Sequence, residues 1–329
     1  MLHPPAKALA LCVLVVMAPA LPAQQAAASG SEAAAPIEEV VVEGRHEGPR
    51  LWVVRKGDHT LWILGTISPL PKKMVWQPDA VQEALRHAQE VVPAWPSYGI
   101  GANPITALRV YIEWRRLQKP PDHMPLREAV PPALYARVEA LKVRYAPHDN
   151  KLEQMRPMLA ARELLTRALD AAGLAIHNEV QQEVLHLARA AGARIHQDKL
   201  RIDDPVDVLK DVGATPLAGE VACLDSVVTL LETDLTPMQE RARAWALGDV
   251  DTLRRLPYSG DRTACLTAVS TSERVRKLIT RAEDDWLIAV EDSLTRNPGT
   301  LAVQSMDRLL GEKGTLAVLR SRGYSVEGP

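Results

Sequence analysis

Few residues in this chain have the types and spacing that chemistry needs. Gly65-Thr66-Ile67-Ser68 forms a turn at the end of the apolar run Leu61 to Leu64. Glycine has no Cβ, so such a turn lets the backbone come close to whatever lies above the sheet edge, where ligands gather. Ser68 carries a hydroxyl, but a serine nucleophile needs a base within hydrogen-bond reach, and no neighbouring motif supplies one. Glu179, Glu183 and His186 share one face of a helix by spacing, in imitation of a carboxylate-histidine site. The apolar stripe of that helix, Val180, Val184, Leu187 and Ala191, lies roughly 120° away, which turns the trio to solvent. His59, within Lys56-Gly57-Asp58-His59, reads as an exposed turn residue. The chain has no Cys-x-x-Cys, no phosphate-cradling glycine loop and no Gly-x-Ser-x-Gly elbow.

The first 28 residues read as a cleaved export signal. Lys7 supplies the positive end, Ala8 to Met17 the apolar run, and Ala18, Ala20 and Ala23 the small residues that suit signal peptidase. Pro19 and Pro22 stop the run at about 16 apolar residues, short of the roughly 20 that span a membrane. Leu11 before Cys12 is too bulky for a lipoprotein signal, so the expectation is a periplasmic protein without a lipid anchor, not membrane-spanning after cleavage. Removal of the signal leaves Cys223 and Cys265, an even pair in an oxidising compartment. A disulfide between them is the first expectation, and two buried free thiols the alternative.

Composition is that of a globular domain, with 47% hydrophobic and 24% charged residues in 329. The net charge of −2 argues against a nucleic-acid partner. Phenylalanine is absent, and no aromatic platform for single strands is evident.

Residues 29–48 are polar and small in character and read as a tether, apart from the β-prone segment Ile37 to Glu43, an edge strand or adhesive tail. Leu51 to Arg55 and Thr60 to Leu64 flank Gly57 as a β-hairpin. Pro78 opens a helix with Val81, Ala84, Leu85 and Ala88 buried, and Glu90 to Trp95 returns as a strand. A helical middle follows, with Ala107, Val110, Tyr111, Trp114 and Leu117 on one buried face, Leu134, Val138 and Leu141 on another, and helices over 151–170 and 178–191. Arg194 to Ile202 reads as a strand. Thr236, Pro237 and Gln239 form a capping-box start for a helix that ends at Gly248. Val275, Leu278, Ile279, Ala282, Trp286 and Ala289 mark a long amphipathic helix. Thr300 to Gln304, Leu316 to Arg322 and Gly323 to Val326 then repeat strand, helix, strand. The expected fold is mixed α/β, a domain over residues 49–329 whose central sheet is built from both chain ends, with a helical subdomain over about 100–295.

These end segments resemble the TraB/GumN family, related to the Tiki metalloproteases and the erythromycin-esterase/ChaN-like fold. The matching residues are Leu51 to Asp58, Leu61 to Thr66, Pro69-Leu70-Pro71, Trp245-Ala246-Leu247-Gly248-Asp249, Gly311 to Gly314, Leu319 and Gly323 to Val326. In family members thought active, the resemblance implies a Gly-Thr-Ile-His turn, a carboxylate at the end of the next strand and a Gly-x-x-His turn near the C-terminus, converging on a divalent metal. Two imidazoles and a carboxylate leave open positions for an activated water. Here Ser68 stands at the first histidine, Ala94 at or near the carboxylate, Arg308 at the second histidine and Ser305 at its glycine. A hydroxyl, a methyl and a guanidinium do not replace that set, because arginine stays protonated and has no lone pair for a metal.

The expected site is thus a degenerate pocket of Gly65, Thr66, Ser68, Ala94 and Arg308, with no catalytic or metal-ligating residue and no cofactor. Arg308 would meet a carboxylate or phosphate there, or form a structural salt bridge with Asp307 or Glu312. The resulting expectation is a catalytically silent protein that binds an envelope protein or a small anionic ligand. The alternative is an envelope metal-dependent hydrolase or peptidase with non-standard ligands.

Overall fold

The alternation of Leu51–Lys56 turns Trp52 and Val54 into the core while their neighbours stay half-exposed, as a strand with one covered face requires. The computed structural model describes residues 48–94, 97–100, 103–120, 124–176, 179–197, 199–233, 235–256, 261–310 and 313–329. The expected signal peptide, the tether up to residue 47 and the Ile37 to Glu43 segment lie outside these, as do Trp95, Gly311 and Glu312.

In chain order the elements are β1 (Leu51–Lys56), β2 (His59–Thr66), β3 (Leu70–Pro71), α1 (Asp79–His87), β4 (Glu90–Val92), β5 (Ser97–Ile100), α2 (Pro104–Leu117), α3 (Leu126–Ala129), α4 (Pro132–Tyr145), α5 (Pro157–Ala171), β6 (Leu174–Ala175), α6 (Glu179–Ala190), β7 (Arg194–Ile195), β8 (Lys199–Ile202), α7 (Pro205–Gly213), α8 (Leu217–Glu232), α9 (Thr236–Ala246), α10 (Val250–Arg255), α11 (Asp261–Val269), α12 (Glu273–Arg296), β9 (Gly299–Ser305), α13 (Met306–Leu309), α14 (Thr315–Ser321) and β10 (Ser325–Glu327). Six strands form one sheet in the order β10-β1-β2-β9-β4-β7.

The sheet joins the two chain ends, as expected from the terminal patterns. β1 pairs antiparallel with both β2 and β10, while β2 runs parallel to β9 through seven registered pairs from Thr60↔Gly299 to Thr66↔Ser305. β4 runs parallel to β9 and to β7. The centre is covered on both faces, so β9 is buried from Gly299 to Gln304 and Leu61, Ile63 and Leu64 of β2 have no exposure. Helices α1 and α12 both pack on β9.

Several local expectations change. The strand predicted over Arg194 to Ile202 is two strands, β7 in the main sheet and β8 in a separate ladder with β5. Leu235, not Thr236, holds the N-cap position of α9, and no side-chain cap bond forms there. On α6 the stripe continues through Ala188, and Ala191 is exposed beyond the helix end. Tyr111, expected in the core with Val110 and Leu117, is exposed.

The helical insert is divided among three apolar clusters. α6, α9, α10 and the second half of α12 pack on the sheet through Val184, Trp245, Leu253, Trp286 and Leu294. Helices α3, α4, α5 and α8 enclose a second cluster around Leu164, Leu224 and Val228. A third joins α2 and α7 to the first half of α12 through Val110, Leu209 and Val275. Cys223 on α8 and Cys265 on α11 lie at disulfide-bonding distance and tie those two helices, in agreement with the pairing expected.

Candidate functional site

Strands β2, β9 and β4 are parallel neighbours, so Thr66 to Ser68, Ser305 and the residues after Val92 all emerge at one edge of the sheet. In open sheets with parallel strands, ligands bind outside the carboxyl ends of the strands. The topology therefore brings these positions to one edge, and the side chains there determine what that edge can do.

Gly65 is needed for packing. A Cβ there would run into the Met306 thioether and approach the Trp52 ring at 2.7 Å and Leu309 at 3.2 Å. The space above this glycine is filled by α13, which starts directly after β9, and not by an open approach to the backbone. Its carbonyl oxygen accepts a hydrogen bond from Trp245 Nε1 at 2.6 Å. The Trp245 ring in turn meets that of Trp76, with centroids 5.7 Å apart.

The next residues are held as firmly. Thr66 is buried and its hydroxyl donates to the Gln304 carbonyl at 3.4 Å. The Gln304 side-chain oxygen accepts from the Ser305 backbone N–H at 2.9 Å. Ser68 Oγ donates to the Ile176 carbonyl at 3.3 Å, next to the short ladder in which β3 pairs with β6. A hydroxyl engaged this way fastens the turn to the helical insert. Among the described residues no imidazole or carboxylate bonds to this hydroxyl, and a serine nucleophile needs such a base.

Ala94 lies two residues beyond β4, which ends at Val92 rather than Trp95. It is buried, and its backbone N–H donates to Gln181 Oε1 of α6 at 2.9 Å. The carboxylate of this segment, Glu90, lies at the opposite end of β4. It accepts from Asn297 Nδ2 at 2.7 Å and from His196 Nδ1 at 3.0 Å, with Arg194 and Arg296 within 3.8 Å and 3.6 Å. Burial pushes the Glu90 carboxyl upward, but the bonds from His196 and Asn297 and the charge of Arg296 outweigh it and hold the group below the usual glutamate range. Glu90 is committed to joining β4, β7 and the end of α12.

Arg308 reaches back from α13 to Glu283 of α12, with 3.2 Å between Nη2 and Oε1. The expected salt bridge thus forms with Glu283 rather than Asp307, and the Glu312 alternative lies outside the described residues. The guanidinium keeps partial exposure, so an anion at this edge would compete with the Glu283 carboxylate. Ser305 Oγ is buried without a hydrogen-bond partner among the described residues.

The metal implied by the resemblance does not fit these donors. A bonded serine hydroxyl, a buried methyl and an ion-paired guanidinium supply no anionic or imidazole ligand. Among the described residues no three His, Cys, Asp or Glu side chains are grouped so as to hold an ion. Glu179, Glu183 and His186 are exposed on α6, as their spacing predicts. His59 is half-buried in β2, and its Nδ1 lies 2.7 Å from the Leu294 carbonyl near the C-terminal end of α12.

Sequence reasoning missed Gln181 and Glu283. Gln181 was recoverable, since it sits beside Val180 and Val184 on the buried side of α6; Glu283 carried no such signal. Trp245 lies among the residues that carry the family resemblance, but the resemblance does not give its role as the donor to Gly65.

No curated protein and no solved structure matches the chain. The model of the TraB/PrgY/gumN family matches residues 50–328, from the first strand of the sheet to the last, and the chain belongs to that family.

Proposed function

We propose that this is an exported TraB/GumN-type envelope protein in which the family's metallohydrolase-like scaffold has become a binding surface. One observation carries the reading. At the strand ends where the family resemblance implies metal ligands, Ser68 is bonded to Ile176, Ala94 is a buried methyl and Arg308 is paired with Glu283. The three replacements close the edge with packing and an ion pair, and they leave Arg308 and the buried Ser305 hydroxyl as its polar features. Those features suit a small anionic ligand or an acidic segment of an envelope protein. Export is supported by Lys7, the apolar run Ala8 to Met17 and the cysteine pair at bonding distance.

Metal analysis of the purified protein tests the silent-scaffold reading. The expected result is no retained divalent ion, and near-stoichiometric manganese, cobalt or zinc would overturn it in favour of a hydrolase with non-standard ligands. A Ser68→His, Arg308→His double variant tests the placement of the lost ligands: gained cobalt or zinc affinity supports it, and no gain in a folded variant counts against it. Cell fractionation with N-terminal sequencing tests export.

A further inference from the structure

Helix α2 has two apolar faces, and the protein uses only one. Val110 and Leu117 are buried against α7, with Trp114 half-buried beside them. On the other side Ile105, Leu108, Tyr111 and Ile112 are exposed by 71%, 58%, 58% and 40%. Isolated exposed apolar side chains are ordinary, but four on the first turns of one helix form a patch that needs a partner.

The charges on that helix indicate which kind. At 100° per residue the exposed arc that holds the four apolar residues also holds Arg109, Arg115 and Arg116, and Lys119 follows just after the helix end. The helix's one carboxylate, Glu113, is mostly covered and lies at the border of that arc, where it pairs with Arg116 at 2.7 Å. Arg109 and Lys119 have no carboxylate partner among the described residues. Arginine and tyrosine also serve protein interfaces, but apolar turns followed by cations, with no free acid among them, call for a partner surface that is itself uniformly anionic. They match a helix that lies in the plane of a bilayer, its apolar side chains among the acyl chains and its long cationic stems reaching the phosphates. A tyrosine at the border of the two zones fits the same arrangement. No single described helix is long and apolar enough to cross a membrane, so contact would be from one side. The bent pair α7 and α8 has the composition of a broken span, but Val208, Leu209, Leu224 and Val228 are buried within the protein.

We infer that the exposed face of α2 docks the protein on an anionic lipid surface, as an interfacial helix.

Vesicle flotation tests this with the purified protein. Vesicles of phosphatidylcholine and phosphatidylglycerol at about 3:1 should bind it, and pure phosphatidylcholine vesicles should bind it about tenfold or more less tightly. Raising salt to about 0.5 M should weaken the bound fraction without abolishing it, since the apolar part is not screened. Ile105→Ser with Leu108→Ser, and separately Arg109→Gln with Arg115→Gln, should each reduce binding about tenfold while circular dichroism and melting temperature stay unchanged. Absence of binding to the anionic vesicles, binding equal on both vesicle types, or binding indifferent to both variant pairs would overturn the proposal. So would a dimer by light scattering that the Ile105, Leu108 variant dissociates, because the face would then belong to a second copy.

Discussion

Trp245 donates its indole N–H to the carbonyl of Gly65 across 180 residues of chain, at 2.6 Å and with both groups buried. The bond joins α9 to the last turns of β2 and makes the glycine turn a packed joint, with Met306 and Leu309 closing it from the other side.

Trp245→Phe keeps one aromatic ring but removes the pyrrole part with its N–H donor, so the Gly65 carbonyl loses its partner and a small space opens beside it. The expected cost is about 1–3 kcal/mol in urea unfolding, with little change in slope. Gly65→Ala, which forces Met306 and Trp52 apart, should cost about 1–3 kcal/mol by a different route. If Gly65→Ala were neutral, the close packing over this residue would be refuted.

Arg156 and Glu220 form an ion pair that is almost wholly buried, with Arg156 Nε 2.9 Å from Glu220 Oε1 and Nη1 2.7 Å from the Gly213 carbonyl. Glu220→Ala leaves a buried guanidinium without its counter-charge and should destabilise by about 3–5 kcal/mol. Replacing both partners with Met and Leu should cost far less than the single change, which a double-mutant cycle in guanidinium would show.

The Cys223–Cys265 bridge closes a separation of 42 residues between α8 and α11. Treatment with reductant, or Cys223→Ala with Cys265→Ala, should lower stability by up to about 4 kcal/mol in the chain-entropy view. Alkylation without reductant should leave the mass unchanged, and two added groups would show free thiols.

Stability should also fall in acid through Glu90. Its carboxyl titrates below the ordinary value of 4.5 when folded, so near that pH the unfolded chain binds more protons than the native one. The contribution is present above the unfolded value and is lost as pH falls through the folded one. In Glu90→Gln this part of the acid dependence should be missing, as read from melting temperature between about pH 6 and pH 3. An identical pH profile in the variant would refute the assignment.

Much of the sheet was readable because its strands carry local signals. The Leu51 to Leu64 hairpin has alternation around Gly57, and Thr300 to Gln304 is an uninterrupted buried run of the kind a central strand needs. The pairing of the two ends followed from their mirrored order. What could not be read depends on residues far apart in the chain. Tyr111 continues the apolar spacing of Val110 and Leu117 but falls on the uncovered side, because α7 packs on the other face of α2. Ser68 and Arg308 lie just beyond the ends of β2 and β9, but their partners, Ile176 after β6 and Glu283 on α12, belong to segments whose docking the local pattern does not encode. The end of β4 at Val92 did have a local signal, since Pro93 has no N–H to offer the ladder, and Gln181 then captures the backbone N–H of Ala94.

The pairing of β2 with β9 has a bearing on synthesis. Thr66 bonds to Gln304, 238 residues later, so the middle of the sheet is absent until nearly the whole chain has left the ribosome. Until then β2 has an open side rich in Leu61, Ile63 and Leu64, and the nascent chain has little to cover it. A product truncated before residue 299 would lack the strand that lies between β2 and β4, and proteases should remove it rapidly. The last tenth of the chain decides whether the first strands have a place to fold.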